Sequence, residues 1–418
     1  MARDTFVAGH TCLCAFRYAD AVPDDDASLA DGQRDPAPTA VEHRHASWLE
    51  LFFDLVFVAF IGQLALRLRG APGPSDFAVF ALLLFPAWWT WINILISTNL
   101  FGRRATGAMW LVMGPIMFAV GVMAASVSDD FASRAWAFAA ANALIRFVML
   151  PVWLKSARKS GTAAWRPMTY NGITGVLWLI SIAIPQPAQY GVWAVAIIVE
   201  IALAAVVGRQ SDWLRRALDI EHIAERVGLF VVIVFGESIL TLIIAASAHW
   251  DPTSGATALL GFVLVTLLAW SFFSYGAPIA ERSWAELRDS GDLGALRDTT
   301  MFLPFFLVTG VVLMAAGLGS AVSDPDRSLP MGAAIALCGG VALFYATNGA
   351  VTLRYRQRPA DVLFWAVPGV VGPLILATLS PLLTSLALVA ILTAYLIAQV
   401  ASARWLRLHR ERIGTPSR

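Results

Sequence analysis

The chain is dominated by apolar runs of about twenty residues, separated by short polar breaks. A helix needs about twenty residues to cross the hydrocarbon core of a bilayer. In addition, 58% of the chain is hydrophobic, more than the roughly 45–50% of a soluble domain. We therefore predict an all-α, polytopic transmembrane helix bundle. The predicted spans number about twelve: 48–68, 76–98, 107–128, 131–153, 168–186, 188–207, 223–247, 255–277, 299–321, 330–351, 361–379 and 381–403.

The basic residues predict the orientation of these spans. Most arginines and lysines outside the spans fall on alternate connections and on both tails, and the other connections carry only Arg67, Arg69, Arg134 and Arg327. Cytoplasmic loops carry the excess of positive charge, so both termini are predicted to be cytoplasmic, in a bacterial inner membrane. Residues 1–46 are predicted to be a disordered cytoplasmic tail, and 404–418 a basic cytoplasmic tail.

An even number of spans allows two six-helix repeats, predicted at 47–207 and 208–403. The first span of each half opens with an acid, Glu50 or Glu225. Each then reaches a Phe and a Gly, in FIGQ at 60–63 and in FGES at 235–238. This match favours a duplicated unit, although short apolar segments also resemble one another by chance.

Three motifs resemble those of a known family. The sequence HASWLELFFDLVFVAFIGQLAL at 45–66 resembles the opening signature of the bacterial low temperature requirement protein A family. The sequence EHIAERVGLFVVIVFGESIL at 221–240 resembles its second signature, and Trp88-Trp89, Trp91 and Asn99 fit its second span. The resemblance covers most of residues 43–280, and it implies a polytopic inner-membrane protein linked to growth in the cold. It supplies no biochemical activity.

The sequence departs from the family at the ninth predicted span. Members often carry a His before a Leu-Pro pair, whereas here Phe302 precedes Leu303 and Pro304. Any role of that His is therefore not expected in this chain.

Three ionisable residues lie at a similar depth in different spans. Counted from the cytoplasmic side, Asp54 is about 9 Å deep, and Arg146 and Glu200 are about 11 Å deep. One base among two acids leaves a net negative site, which suits a cation or a proton. The alternative is a closed ion pair between Asp54 and Arg146 that locks two helices together.

A further acid, Glu237, lies about 21 Å from the cytoplasmic edge of its span, with no basic residue near it in sequence. We predict that it is protonated at rest and exchanges its proton when water reaches it. The alternative is a neutral side chain hydrogen-bonded to a neighbouring helix, with Gly236 and Ser238 allowing close approach. Glu225 and Arg226 are predicted to anchor the interface or to pair with Glu50.

Two asparagines are predicted to support these charges. Asn93 forms a polar stripe with Thr90 and Ser97, which either lines an aqueous path or, as we favour, forms hydrogen bonds between helices. Asn142 shares a helix face with Arg146 and is predicted to bind its guanidinium.

Other classes of function find no support in the sequence. It contains no GxSxG, HExxH, Walker or glycine-fingerprint motif, so we predict neither an enzyme nor a cofactor site. His222 and Glu225 have helical spacing but no paired second motif, so no metal site is predicted. Basic residues spread over the loops argue against nucleic-acid binding. The predicted partner is the lipid bilayer, and the sequence specifies no oligomeric state.

Two classes of function remain. The first is a transporter or channel for a small ion or solute, with Asp54, Glu200 and Glu237 as sites and Arg146 as counter-charge. The second is a non-transporting stress or envelope factor that acts through partners. A transporter is expected to place Asp54 and Glu237 beside a connected polar cavity, and a non-transporting protein to seal them in paired contacts.

Overall fold

A computed structural model describes residues 46–101, 106–127, 130–160, 163–207, 218–354 and 359–413. The regular structure in these ranges is helical, with short connections between the helices and an isolated antiparallel bridge between Ser328 and Thr384. The all-α membrane bundle predicted from the sequence is therefore confirmed. The predicted tail at 1–46 lies almost wholly outside the described residues. The last helix continues to Ile413, so the predicted tail at 404–418 begins as helix.

We number the described helices in chain order. They are α1 Trp48–Arg67, α2 Pro74–Phe101, α3 Thr106–Ser126, α4 Phe131–Ser160, α5 Trp165–Pro167, α6 Thr174–Ser181, α7 Ala188–Val207, α8 Ile220–Ala248, α9 Pro252–Ser271, α10 Ala277–Ser290, α11 Leu293–Arg297, α12 Leu303–Ser323, α13 Met331–Arg354, α14 Pro359–Thr378 and α15 Ser385–Ile413.

The number of predicted spans was wrong. Within the described ranges, 10 helices are long and apolar enough to cross a membrane, against twelve predicted. The predicted span 168–186 is helical only as far as Ser181, and a π-helical stretch at Met168–Ile173 joins α5 to α6. The predicted span 188–207 forms α7 with the predicted bounds, 20 residues from Ala188 to Val207.

Polar caps fix where α1 and α8 begin. Ser47 and Glu50 form a capping box, in which the Ser47 amide donates to Glu50 Oε2 at 2.8 Å and the Glu50 amide donates to Ser47 Oγ at 3.4 Å. Asp219 caps α8 by accepting from the His222 amide at 3.2 Å. Both caps satisfy amides that have no partner within the helix. The ionisable residues of the two first turns are thereby held in fixed positions.

Helices α1 and α8 lie side by side and run in the same direction. The amide of Ala46, just before α1, donates to Glu225 Oε2 at 3.0 Å. Further along, the rings of Phe57 and Phe230 are 5.8 Å apart. Beyond the far end of α1, Arg69 Nη2 donates to the Thr241 carbonyl at 3.0 Å.

The same order of packing recurs in the two parts of the chain. Helix α3 packs against α1 and α4, α4 against α6, α6 against α7, and α2 against α1 and α7. In the same order, α12 packs against α8 and α13, α13 against α14, α14 against α15, and α9 against α8 and α15. Two six-helix repeats at 47–207 and 208–403 would give this order of packing, with α1 and α8 as counterparts, and the duplication stays a prediction.

Helices α12 and α13 approach each other most closely through glycine. A Cβ added to Gly340 would lie 2.5 Å from the Gly310 carbonyl oxygen and from the Met314 amide nitrogen. A Cβ on Gly317 would lie 2.5 Å from the Leu337 amide nitrogen. The backbones of the two helices are therefore in direct contact, as small residues permit in membrane bundles.

Candidate functional site

The buried ionisable residues fall into two clusters. The first, which we call the Arg226 cluster, contains Glu50 and Asp54 of α1 with His222 and Arg226 of α8. Arg226 Nη2 lies 2.6 Å from Asp54 Oδ1, and Nη1 lies 3.6 Å from Glu50 Oε1. The side chains of all four are fully buried. The predicted pairing of Arg226 with Glu50 is confirmed, and Asp54 shares the same guanidinium.

Helix α2 completes the Arg226 cluster with neutral donors and acceptors. Trp91 Nε1 donates to Asp54 Oδ1 at 2.8 Å, and Arg226 Nη1 donates to Thr98 Oγ1 at 3.0 Å. The second carboxylate oxygen of Asp54, Oδ2, is buried without a hydrogen-bond partner. Asp54 is therefore held through one oxygen only.

The environment of His222 assigns its tautomer. The Asn99 amide is oriented by the backbone of Asp219, because Asn99 Oδ1 accepts from the Asp219 amide at 3.1 Å and Nδ2 donates to its carbonyl at 2.8 Å. Asn99 Nδ2 also lies 3.1 Å from His222 Nδ1, which must therefore accept. The proton of a neutral His222 is then on Nε2, which lies 3.3 Å from Glu50 Oε1. His222, predicted at the membrane edge, is buried at 1% exposure.

Arg146 and Glu200 form the core of the second cluster, which we call the Arg146 cluster, together with Thr90 and Asn142. The pair is bidentate, with Nε 2.9 Å from Oε1 and Nη2 3.1 Å from Oε2. Arg146 Nη1 donates to Asn142 Oδ1 at 3.2 Å, as predicted, and to Thr90 Oγ1 at 3.3 Å. Both charged side chains are buried, so this is a closed charge-assisted interaction.

The two clusters lie on different faces of α2, which supplies Thr90 to one and Trp91 to the other. The predicted ion pair between Asp54 and Arg146 is not formed, since each has another partner. The expected common site for Asp54, Arg146 and Glu200 is not formed either. Depth along the membrane normal placed the three at one level, but it carries no information about which helix stands between them.

Asn93 forms hydrogen bonds between helices, as we favoured. Its Nδ2 donates to the Trp89 carbonyl and to Tyr170 Oη, both at 2.8 Å. Tyr170 lies in the π-helical stretch that interrupts the predicted fifth span. Ser97 Oγ donates to the Asn93 carbonyl at 2.6 Å, within its own helix. The polar stripe of α2 is thus occupied by protein contacts.

Glu237 differs from all these groups. It lies near the middle of α8 and is half-buried. Within the part of the chain that the structure describes, it makes no hydrogen bond and no ion pair. Its carboxyl lies directly against Gly62 of α1, where any Cβ would collide with Oε1. Gly62 therefore makes room for Glu237, whereas Gly236, predicted to do so, has open space beside it.

Two cavities lie away from these acids. One of about 450 Å³ opens between the start of α8 and α10, with Glu281, Arg282 and Arg288 in its lining. The other, of about 50 Å³, is mainly apolar and lies between α8, α10, α12 and α13. Asp54 and Glu237 line neither. Neither cavity is thus the connected polar cavity beside Asp54 and Glu237 that was expected of a transporter. Asp54 has the sealed, paired contacts expected of a non-transporting protein, whereas Glu237 has no partner among the described residues.

The described residues contain no group of three or more His, Cys, Asp or Glu that could hold a metal ion.

Comparison with known proteins places this arrangement in a family. The sequence model of the bacterial low temperature requirement A protein matches residues 45–401. The chain belongs to that family. The family match includes α12 to α14 and most of α15, beyond the 43–280 over which the motifs were visible.

One relative of this low temperature requirement A chain is an uncharacterised protein, RA0937, of Rhizobium meliloti (strain 1021). The two are 28% identical over 317 residues, which is 72% of this chain and 75% of the relative. Its name states no activity.

Proposed function

We propose that the protein is a transporter or channel for protons or another small cation, and that Glu237 is the group that binds and releases the ion. The observation that carries this proposal is the unpartnered, half-buried carboxyl of Glu237 in the middle of α8. An acid within a membrane helix is costly, and those that persist commonly mark an ion path.

The position of Glu237 between the halves supports this role. It lies against Gly62, where α1 meets α8, and these helices are counterparts in the recurring packing order. In transporters built from repeats, substrate and coupling ions bind near the midplane at the interface of the repeats. The Arg226 and Arg146 clusters then act as fixed ion pairs that position α1, α2, α4, α7 and α8.

The proposal retains the predicted orientation, with both termini in the cytoplasm of a bacterial inner membrane. Reporter fusions after residue 418 and in the connection between α1 and α2 test it. We expect the reporter after residue 418 to lie in the cytoplasm and the reporter between α1 and α2 to lie outside the cell. The opposite locations would refute the predicted orientation.

The function itself is tested with the purified full chain in phospholipid vesicles. Uptake of protons, Na⁺ and K⁺ is measured with fluorescent indicators for the wild type, Glu237→Gln and Glu286→Gln. The control removes an exposed glutamate of α10. We expect flux above that of empty vesicles, lost in Glu237→Gln and retained in Glu286→Gln. Wild-type flux equal to that of empty vesicles would end the proposal for the ions tested.

A second candidate is a non-transporting membrane factor that acts through partners. The sealed ion pairs of Asp54, Arg146 and Glu200 favour it, because such pairs hold helices together without providing a path. This candidate predicts that Glu237→Gln leaves growth at low temperature unchanged, whereas variants that break the ion pairs abolish it. A growth series of these variants in a deletion strain separates the two candidates.

A further inference from the structure

Among the residues that the structure describes, Arg69 is a second ionisable group without an oppositely charged partner. It follows the C-terminal end of α1, and its side chain is half-buried against α8 and α12. Nη2 donates to the Thr241 carbonyl at 3.0 Å, and Nε is buried without a hydrogen-bond partner. Over the described ranges, no carboxylate pairs with it. A guanidinium in such a setting usually binds a carboxylate or phosphate.

The chain is shaped to hold Arg69 in this place. Gly70 has a φ of 85°, a conformation that favours glycine, and its amide donates to Ser320 Oγ at 3.0 Å. On α12, a Cβ added to Gly319 would lie 2.7 Å from Arg69 Nε. The glycine at 319 therefore leaves the space that the guanidinium occupies. Arg69 is built into the groove between α8 and α12.

Arg69 and Glu237 share one side of α8. Thr241, whose carbonyl binds Arg69, follows Glu237 by four residues, so the two lie on the same face about 6 Å apart along the axis. Gly62, against which Glu237 packs, lies in α1, and Arg69 follows the C-terminal end of the same helix. The unpaired acid and the unpaired base thus face the same seam, within about two helical turns of each other.

We infer that Arg69 is the counter-charge of Glu237. When Glu237 releases its proton to water, the guanidinium leaves the Thr241 carbonyl and pairs with the new carboxylate. The proton moves from the carboxyl to water, and Arg69 stays protonated throughout. This inference rests on the proposed role of Glu237 and deepens it, because a protein cation can then replace the departing ion inside the membrane.

Few other ionisable groups of the described residues lie near this position. Asp324 follows the end of α12 and lies 4.0 Å from Arg327, and His249 follows the end of α8. Helices α9 and α12, which pack on α8, contain no ionisable side chain. On α2 the nearest acid at this end is Asp76, which accepts from the Gly73 amide at 2.8 Å. The ionisable residues of α10 lie near the N-terminal end of α8, opposite to Thr241. On α1, the last turn contains one further base, Arg67.

The test measures the protonation of Glu237 directly, by its rate of reaction with a hydrophobic carbodiimide, which attacks protonated carboxyls. The full chain in vesicles is labelled between pH 5 and pH 10, and the peptide containing Glu237 is quantified by mass spectrometry. The variants are Arg69→Gln, Arg69→Lys and Arg134→Gln. Arg134 is the matched control, because it also donates to a backbone carbonyl, that of Ala125 at 3.2 Å.

We expect Arg69→Gln to label about tenfold faster than the wild type at alkaline pH. A positive charge about 10 Å away at an effective dielectric constant of 20 favours the carboxylate by about that factor. Arg69→Lys and Arg134→Gln are expected to label like the wild type. Equal rates for Arg69→Gln and the wild type over the whole range would overturn the inference. If Arg69→Gln does not fold, Arg69→Met replaces it, since its stem can still pack in the groove.

The two proposals fail separately. Absence of wild-type flux refutes transport, while a labelling difference still shows that Arg69 controls Glu237. If flux depends on Glu237 but Arg69→Gln and the wild type are labelled at the same rate, the role of Arg69 is refuted and the proposed function stands.

Discussion

The Arg146–Glu200 pair offers a quantitative test of the bundle. Glu200→Gln removes the charge that neutralises Arg146, whose side chain is 4% exposed, and leaves a buried guanidinium without compensation. Arg146→Met leaves the buried carboxylate of Glu200 without its positive partner. Breaking one side of a buried ion pair costs about 3–5 kcal/mol, so we expect each single variant to lose about that free energy of unfolding.

The double variant Arg146→Met/Glu200→Met is expected to lose much less. It leaves no charge behind, and the neighbouring polar groups keep other bonds. Thr90 Oγ1 still donates to the Pro86 carbonyl at 2.9 Å, and Asn142 Nδ2 still donates to the Phe138 carbonyl at 3.0 Å. What remains is the unsatisfied Asn142 Oδ1, worth about 1–3 kcal/mol. The two single losses should therefore exceed the double loss by several kcal/mol.

The measurement is unfolding of the purified protein in mixed micelles by a denaturing detergent, followed by tryptophan fluorescence. A double-mutant cycle isolates the coupling energy of the pair. Arg134→Gln, at an exposed site, serves as control and should change the free energy of unfolding by less than about 0.5 kcal/mol. Single losses below about 1 kcal/mol that add up in the double variant would refute a sealed pair.

Three further predictions follow from particular contacts. Gly340→Val should lower the free energy of unfolding by at least about 2 kcal/mol, because its Cβ would lie 2.5 Å from the backbone of α12. Gly339→Val is the control, since the atom nearest to its Cβ is 3.8 Å away. Equal losses in the two variants would contradict the close contact. At the start of α9, hydrogen bonds from the Ser254 amide and the Thr253 hydroxyl lower the pKa of Asp251 to about 2. The pKa in the folded protein is below that in the unfolded chain, so this stabilisation is full above about pH 4 and is lost as the pH falls through about 2. Asp251→Asn should therefore flatten the pH dependence of unfolding in this range, and an unchanged profile would argue against the cap. Nitrogen NMR of the neutral form of His222 should place the proton on Nε2, whereas a proton on Nδ1 would refute the assigned orientation of Asn99.

The fold was largely predictable, because the lengths of the apolar runs reflect the thickness of the bilayer. The predicted span 188–207 has the bounds of α7. The predicted span 168–186 is an exception, because its helix ends at Ser181 and begins with a π-helical stretch at Met168–Ile173. Hydropathy does not register that change of hydrogen bonding.

The charged residues of the site were predictable in identity but less so in pairing. The spacing along one helix predicted the contact of Asn142 with Arg146, and the position of Arg226 near the membrane interface predicted its pairing with Glu50. The partner of Asp54 was not predicted, since depth alone does not show that α2 lies between Asp54 and Arg146.

Some contacts of the site had signals in the sequence that only the structure connects. Trp91 and Asn99 belong to the same motif of α2, and their spacing of eight residues brings both to α8. Gly62, in the opening motif, faces Glu237 in the second motif. Pairing the two signature motifs with each other would have found both contacts.

The direct backbone contact between α12 and α13 restricts how the molecule can change shape. Two helices that touch main chain to main chain at Gly310 and Gly340 cannot slide without collision, so they move as one rigid block. Any rearrangement must then be taken up where longer side chains separate the helices. The junction of α1 and α8 meets this condition, because there the side chain of Glu237 stands between the two backbones at Gly62.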